Sequence, residues 1–296
     1  MRHPTTKRAK EIDAHLPIDE LDEVLQKQKI DQPVRNVLHW FRSKDVRQED
    51  NQALHAASQK AKDGDGVLLT MYLYSPRDLE WHGTSPARSD FLLQSLKILR
   101  DQLHEKNIPL AIVNAEERGE KTAKVMEFIK ENDISHVFAN YEYEVDELRR
   151  DINVAKRLTK EGVSLELLHD QTVVEPRAIK TGSGTPAKVF TPYHKSWLGI
   201  VAEDPGLLDI VPAPEENDKQ AVEKYQKLFE DDMPELPENK QFKDDEEKDR
   251  IRKMWPAGHD AGMKRLEEFL GKKASCSLLC RLSRLRCRML TCHSSD

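Results

Sequence analysis

Cysteine is missing from the first 275 residues of this chain; all four stand at Cys276, Cys280, Cys287 and Cys292. That distribution excludes a secreted fold built on disulfides. Long apolar runs are missing too. No stretch reaches the roughly 18 consecutive apolar residues of a membrane helix, so no span is expected. The polar start, with no apolar core of its own, gives no reason to expect a secretory signal. A positive excess is also lacking: Lys and Arg number 47 against 53 Asp and Glu, for a net charge of −6. A chain that binds nucleic acid along its whole length has the opposite balance. Finally, the glycines do not form a phosphate cradle. Gly182-x-Gly184 has no strand–turn–helix context and no following G-K-[ST], so it reads as a turn.

What is present is a charge-rich sequence of 296 residues, 38% hydrophobic and 34% charged, long enough for one large or two ordinary domains. Residues 1–33 are polar. Arg2, Lys7, Arg8 and Lys10 form a basic cluster, but Glu11 and Asp13 come early for a transit peptide. A solvated arm is therefore expected there. Nuclear, mitochondrial and cytoplasmic placements all stay open.

Residues 34–200 alternate two patterns. Five apolar runs read as strands: 37–41, 66–74, 109–113, 136–139 and 165–168. Their lack of polar alternation suits strands covered on both faces, as in parallel sheets. Between them lie segments of helical period. Asp50 is placed as the N-cap of the first, and Ser85 with Pro86 opens a long helix striped by Leu92, Leu96, Leu99 and Leu103. The expected fold is α/β: a five-stranded parallel, Rossmann-like sheet with helices on both faces.

Three strings within this region carry a resemblance. The first is W-F-R-S-x-x-x-R-x-x-D-N-x-A-L, with Trp40, Phe41, Arg42, Arg47, Asp50, Asn51, Ala53 and Leu54. The second is N-Y-E-Y-E-V-D-E-L-R-R-D, Asn140 to Asp151, and the third K-V-F-T-P-Y-H-K-S-W-L, Lys188 to Leu198. In this order, and in compatible elements, they resemble the DNA photolyase/cryptochrome family over roughly residues 36–200. The match is to its class I cyclobutane pyrimidine dimer photolyases. The resemblance implies the family's N-terminal antenna domain. It also implies a light-driven lyase that splits pyrimidine dimers by electron transfer from a reduced, excited flavin.

Past residue 200 the composition changes. From Glu215 to Asp249, fourteen acidic residues face six lysines, with Pro234 and Pro237 between them, so residues 201–253 read as an exposed acidic linker. Residues 254–271, opening on Trp255-Pro256-Ala257-Gly258, resemble the first helix of the family's flavin-binding domain. From residue 272 to 296 the resemblance stops in a Cys- and Arg-rich tail. The family's large helical domain holds the FAD site, the electron relay and the DNA groove. None of these can be carried onto this sequence, so it reads as a truncated photolyase-like chain. DNA is not expected as a partner of the fragment, and the oligomeric state is open. A non-enzymatic binding module, an unrelated nucleotide binder and a faulty gene model remain as alternatives.

The candidate site is Glu147 with Asp146. By the resemblance, the acid at the position of Glu147 contacts the pterin ring of a methylenetetrahydrofolate-type antenna, and the residue before it contributes; a deazaflavin is the other antenna in the family. The chemistry is sensible, since a pterin edge offers an amino group and a ring N–H as parallel donors and a carboxylate accepts both. The plainer alternative is that both acids favour the first turn of a helix through its dipole. His82 is a weaker pocket candidate. Arg42 and Arg47 are expected to pair with Asp45 or Asp50 rather than bind phosphate. Cys276-x3-Cys280 and Cys287-x4-Cys292-His293 fit zinc spacing poorly, so no metal is expected.

Overall fold

The computed structural model describes residues 5–28, 30–81, 83–182 and 184–273. In chain order they form α1 (Thr6–Ala14), α2 (Pro17–Gln26), β1 (Asn36–Phe41), α3 (Gln52–Asp63), β2 (Val67–Tyr74), α4 (Pro76–Trp81) and α5 (Pro86–His104). Then follow β3 (Leu110–Asn114), α6 (Lys121–Glu131), β4 (Ile134–Asn140), α7 (Val145–Glu161), β5 (Ser164–Leu168) and α8 (Phe190–Glu203). The remaining helices are α9 (Gln220–Lys224), α10 (Gln226–Glu230), α11 (Asp245–Met254) and α12 (His259–Lys273).

All four strand pairings are parallel and the sheet order is β3-β2-β1-β4-β5. Alternation along the strands divides the core in two. Leu38, Trp40, Leu69 and Met71 pack with Phe128, Ile129, Leu148 and Ile152 of α6 and α7. Val37, Phe41, Leu68 and Tyr72 pack with Leu54, Ala57, Leu96 and Leu99 of α3 and α5. Both faces are covered, as the apolar runs required. Where chain direction must change sharply, glycine permits it: Gly162 closes α7 in the left-handed region at φ 69°. A Cβ on Gly66 would strike the Arg35 carbonyl oxygen.

Sheet order places the reversal of chain progression between β1 and β4. From β1 the chain crosses one face through α3; from β4 it crosses the other through α7. Their connecting loops diverge at the carboxyl ends, leaving the crevice where open α/β sheets bind ligands.

Three expectations need correction. Asp50 is not the cap of α3. It sits at φ 50°, and Asn51 caps instead, its side-chain oxygen accepting from the Leu54 N–H at 3.1 Å. The first 33 residues are not a plain solvated arm. α2 lays Ile18 and Leu21 into the α6–α7 side of the core, and burial of a leucine contributes about 1.5–3 kcal/mol. Nor is the acidic segment a loose linker. Tyr225 and Leu228 pack on one core, Met233 and Leu236 on the other. Asn217 accepts from the Leu68 N–H at 3.1 Å and donates to its carbonyl at 2.8 Å. β3 begins pairing only opposite Thr70, so this side chain stands in for the strand that is not there. α11 is a proper helix, capped by Asp244, whose carboxylate accepts from the Glu247 N–H at 2.7 Å, and Arg252 grips Asp90 at 2.9 and 2.6 Å.

Candidate functional site

The first two sequence strings meet in space. Arg42, at the end of β1, donates to the Asn140 carbonyl at 3.1 Å and to both carboxylate oxygens of Asp151 at 3.3 and 3.2 Å. Its guanidinium lies 3.9 Å from the Trp40 ring centroid. Arg150 reaches Glu142 and Asp151, each at 2.9 Å. Asp45 accepts from the Arg42 N–H at 2.6 Å and from Asn140 Nδ2 at 2.8 Å. Asn140 Nδ2 also lies 2.9 Å from Asn51 Oδ1. Arg42, Asp45, Asn51, Asn140, Glu142 and Asp151 are all buried. The expectation that Arg42 and Arg47 pair structurally holds, but the partners differ. Arg42 takes Asp151, and Arg47 takes Asp170 at 2.9 Å and the Asp50 carbonyl.

Burial and pairing pull the carboxyls apart electrostatically. At Glu142 burial alone would raise the pKa, but the Arg150 and Arg42 guanidiniums and bonds from Arg150 and Ser43 hold it down to about 2. At Asp45 burial wins and lifts it to about 6, against the opposing bonds from Asn140 and the Arg42 N–H. His39, wholly buried on β1, is pushed to about 3 by burial and then by Arg42, so its ring stays neutral. The paired charges of Arg42, Glu142, Arg150 and Asp151 form a buried floor, and Arg42, Glu142 and Arg150 line the cleft above it.

Above the floor opens a cleft of about 1290 Å³. Its walls include Trp40, Phe41 and Ser43 from the end of β1, Tyr72 and Tyr74 from β2, and Ser75 beyond it. Asp146, Glu147 and Arg149 of α7 form another wall; Ile12 of α1 and His259 of α12 also contribute. Asp146 and Glu147 thus both stand on the first turn of α7 and both face the cleft, as the sequence suggested. Asp146 is exposed and Glu147 half-buried. Among the described residues, no hydrogen bond or ion pair engages the Glu147 carboxylate. Two further polar groups went unread in the sequence. Tyr74 Oη and Ser75 Oγ are buried in the cleft wall and have no hydrogen-bond partner among the described residues. The available signal was their position, at the carboxyl end of an apolar run. Lys44 pairs with Glu144 at the rim and Lys121 with Asp78 on the far side.

A carboxylate with no internal partner, orphaned hydroxyls and aromatic walls are chemically compatible with a flat heterocycle that carries several donors. Other expected sites fare differently. His82 and the Cys/His tail lie outside the described residues. Gly184, at φ 78°, sits in a turn closed between Thr181 and Thr185. The third string opens α8, where Phe190 and Val189 are exposed, and it contributes nothing to the cleft.

The protein family described as DNA photolyase matches residues 37–215. A deoxyribodipyrimidine photo-lyase of Neurospora crassa is 41% identical over 242 residues, covering 80% of this chain and 39% of that protein. One from Salmonella typhimurium is 35% identical over 177 residues, covering 60% and 36%. In fold, the chain is similar to the crystal structure of a bacterial class III photolyase from Agrobacterium tumefaciens. The TM-score is 0.61 at 20% identity, covering 83% of this chain and 46% of that one. The chain thus spans less than half the length of each of these proteins. Among the described residues, no helix is long and apolar enough to cross a membrane.

Proposed function

Because this chain belongs to the DNA photolyase family and carries its N-terminal α/β domain, we propose that it is the antenna module of a light-driven pyrimidine-dimer lyase. The ligand is a reduced folate of the methylenetetrahydrofolate type, and its site is the cleft at the carboxyl ends of β1, β2 and β4. Bound there, the pterin supplies near-ultraviolet absorption. The chain's own residues do the holding. Glu147 accepts the amino group and ring N–H of the pterin edge, and Asp146 stands beside it. Tyr74 and Ser75 offer hydroxyls to the remaining polar atoms, and the aromatic walls exclude water. The observation that carries this reading is the Glu147 carboxylate, placed in the cleft with its hydrogen-bonding capacity unspent. Loss of a bond to a charged acceptor costs about 1.5–3 kcal/mol, so Glu147→Gln weakens binding roughly ten- to a hundredfold.

The test is a titration of the purified chain with a reduced folate, read by the near-ultraviolet pterin band, in wild type and Glu147→Gln. Equal affinities would remove Glu147 from the site and leave the helix-dipole account of its position standing. Absence of any folate binding, with retention of a deazaflavin or of a nucleotide, would replace the ligand. Flavin and DNA are contacts of the family's helical domain. The chain as it stands is expected to purify without stoichiometric FAD and without dimer-repair activity.

A further inference from the structure

Where β4 and β5 end side by side, three aromatic rings lie parallel. Tyr141 and Tyr143 follow β4, and His169 follows β5. We propose that Tyr143 is a redox-active tyrosine, which gives one electron to a photo-excited aromatic heterocycle while its proton passes to His169. Tyr143 Oη lies 2.5 Å from His169 Nδ1. The two rings are 8° from parallel with centroids 5.9 Å apart, too far for one to lie above the other. The bond therefore runs close to the plane of both rings, along the imidazole lone pair. On the other side of the imidazole, Nε2 stands 3.1 Å from Glu175 Oε1. A carboxylate there keeps the ring proton on Nε2 and leaves Nδ1 as the acceptor. Tyr141 lies face to face with the imidazole, 4.2 Å between centroids and 4° between planes.

Taking an electron from a phenol leaves a strongly acidic radical cation, so the step is hard unless the hydroxyl proton leaves with it. Prior deprotonation is closed off, because burial and then Glu175 push the Tyr143 hydroxyl up to about 12. A neutral imidazole already bonded to the hydroxyl takes the proton with no group moving. Burial lowers the His169 pKa against the pull of Glu175 and Asp22, and Arg177 lowers it further, so the ring is neutral at pH 7. The products are the heterocycle reduced by one electron, a neutral tyrosyl radical and an imidazolium. That imidazolium forms beside the Glu175 carboxylate and against the Tyr141 ring face, both of which favour a cation. Return of the electron returns the proton. Asp22 of α2 accepts from the Tyr141 hydroxyl at 2.9 Å and from Arg177 at 2.7 Å, which fixes the rings against that helix. Tyr141, Tyr143, His169 and Glu175 do not line the cleft, so the relay stands apart from any ligand there.

Flash photolysis of the full chain with free flavin mononucleotide as photo-oxidant tests this, read by the visible band of the neutral tyrosyl radical. Tyr143→Phe, which keeps the ring, is expected to remove the fast phase of radical formation. His169→Gln should slow that phase roughly a hundredfold and abolish its solvent deuterium effect. Free imidazole should restore the rate in His169→Ala. Acid should switch the phase off as His169 becomes an imidazolium, below the usual 6.5. Glu175→Gln, at an exposed position, should move that cutoff to lower pH, since it removes a charge that raises the His169 pKa. A fast phase unchanged in Tyr143→Phe, or His169 variants that react as fast as wild type, would overturn the assignment.

Discussion

One turn of α7 separates two carboxylates with opposite fates. Glu147 and Asp151 are four positions apart on the same stripe of the helix, about 6 Å along its axis. Asp151 is 1% exposed and held by two guanidiniums, Arg42 and Arg150; Glu147 is half-buried and held by none. The residues beside them differ in exposure: Arg150 is tied to Glu142 and Asp151 with its side chain 15% exposed, while Asp146 is exposed in the cleft wall. What differs is depth below the sheet's carboxyl edge, not chemistry or helical face. The deep turn builds the floor, and the shallow turn presents a carboxylate to the cleft.

That contrast can be broken most severely from below. Asp151→Ala leaves two buried cations without their shared anion and should cost about 3–5 kcal/mol. Urea unfolding checks it, and a loss under about 1 kcal/mol would mean that the network is not the floor of the site.

A smaller effect should follow pH. Glu142, held at about 2 from a usual 4.5, contributes stability above the upper value and loses it as pH falls toward the lower one. Asp45, raised from 3.8 to about 6, runs the other way: its ionisation is resisted in the fold, so stability declines as pH rises through that window. Together they predict a maximum between about pH 4 and 5, with each limb worth at most about 3 kcal/mol. Denaturant midpoints across pH should show the acid limb flattened in Glu142→Gln and the other flattened in Asp45→Asn. A curve still rising at pH 7 would contradict both assignments.

Glu147→Gln should reverse the pattern of Asp151→Ala. Folate affinity should fall roughly ten- to a hundredfold. Stability should stay within about 0.5 kcal/mol, as for a residue with no internal partner. The least effect belongs to Asp146→Asn, less than about tenfold in affinity. If Asp146→Asn proves the stronger variant, the anchor has been assigned to the wrong member of the pair.

The sequence disclosed the sheet well, because an uninterrupted run such as Val37–Phe41 or Leu68–Tyr72 has few other ways to be buried. It disclosed Ser85 as a cap because the signal is local. It hid whatever depends on distant partners. Arg42 was paired with acids three and eight residues away, whereas its real counter-ion is 109 residues on. α2 looked solvated because its apolar side, with Ile18 and Leu21 fully in the core and Val24 and Leu25 packed beside them, is short and set among charges. Asp146 and Glu147 are proposed from the resemblance of the string around them, not from their own charge. Within that string, Asn140, Arg150 and Asp151 serve the buried floor, so most of the signal came from residues that hold the site up. Tyr74 and Ser75 carried no such string and were missed.

The Asn217 side chain has a consequence for the solubility of any shortened version of this protein. It occupies the peptide N–H and carbonyl of Leu68 on the edge of β2 that faces β3, before the pairing with β3 begins. A fragment cut near residue 200 would keep every strand yet uncover those two groups, together with the apolar surface under Met233 and Leu236. Unpaired backbone beside bare apolar surface is a template on which a second molecule can add its own strand. The acidic strap therefore works as an edge guard, and its many negative charges keep the guarded edges of separate molecules apart.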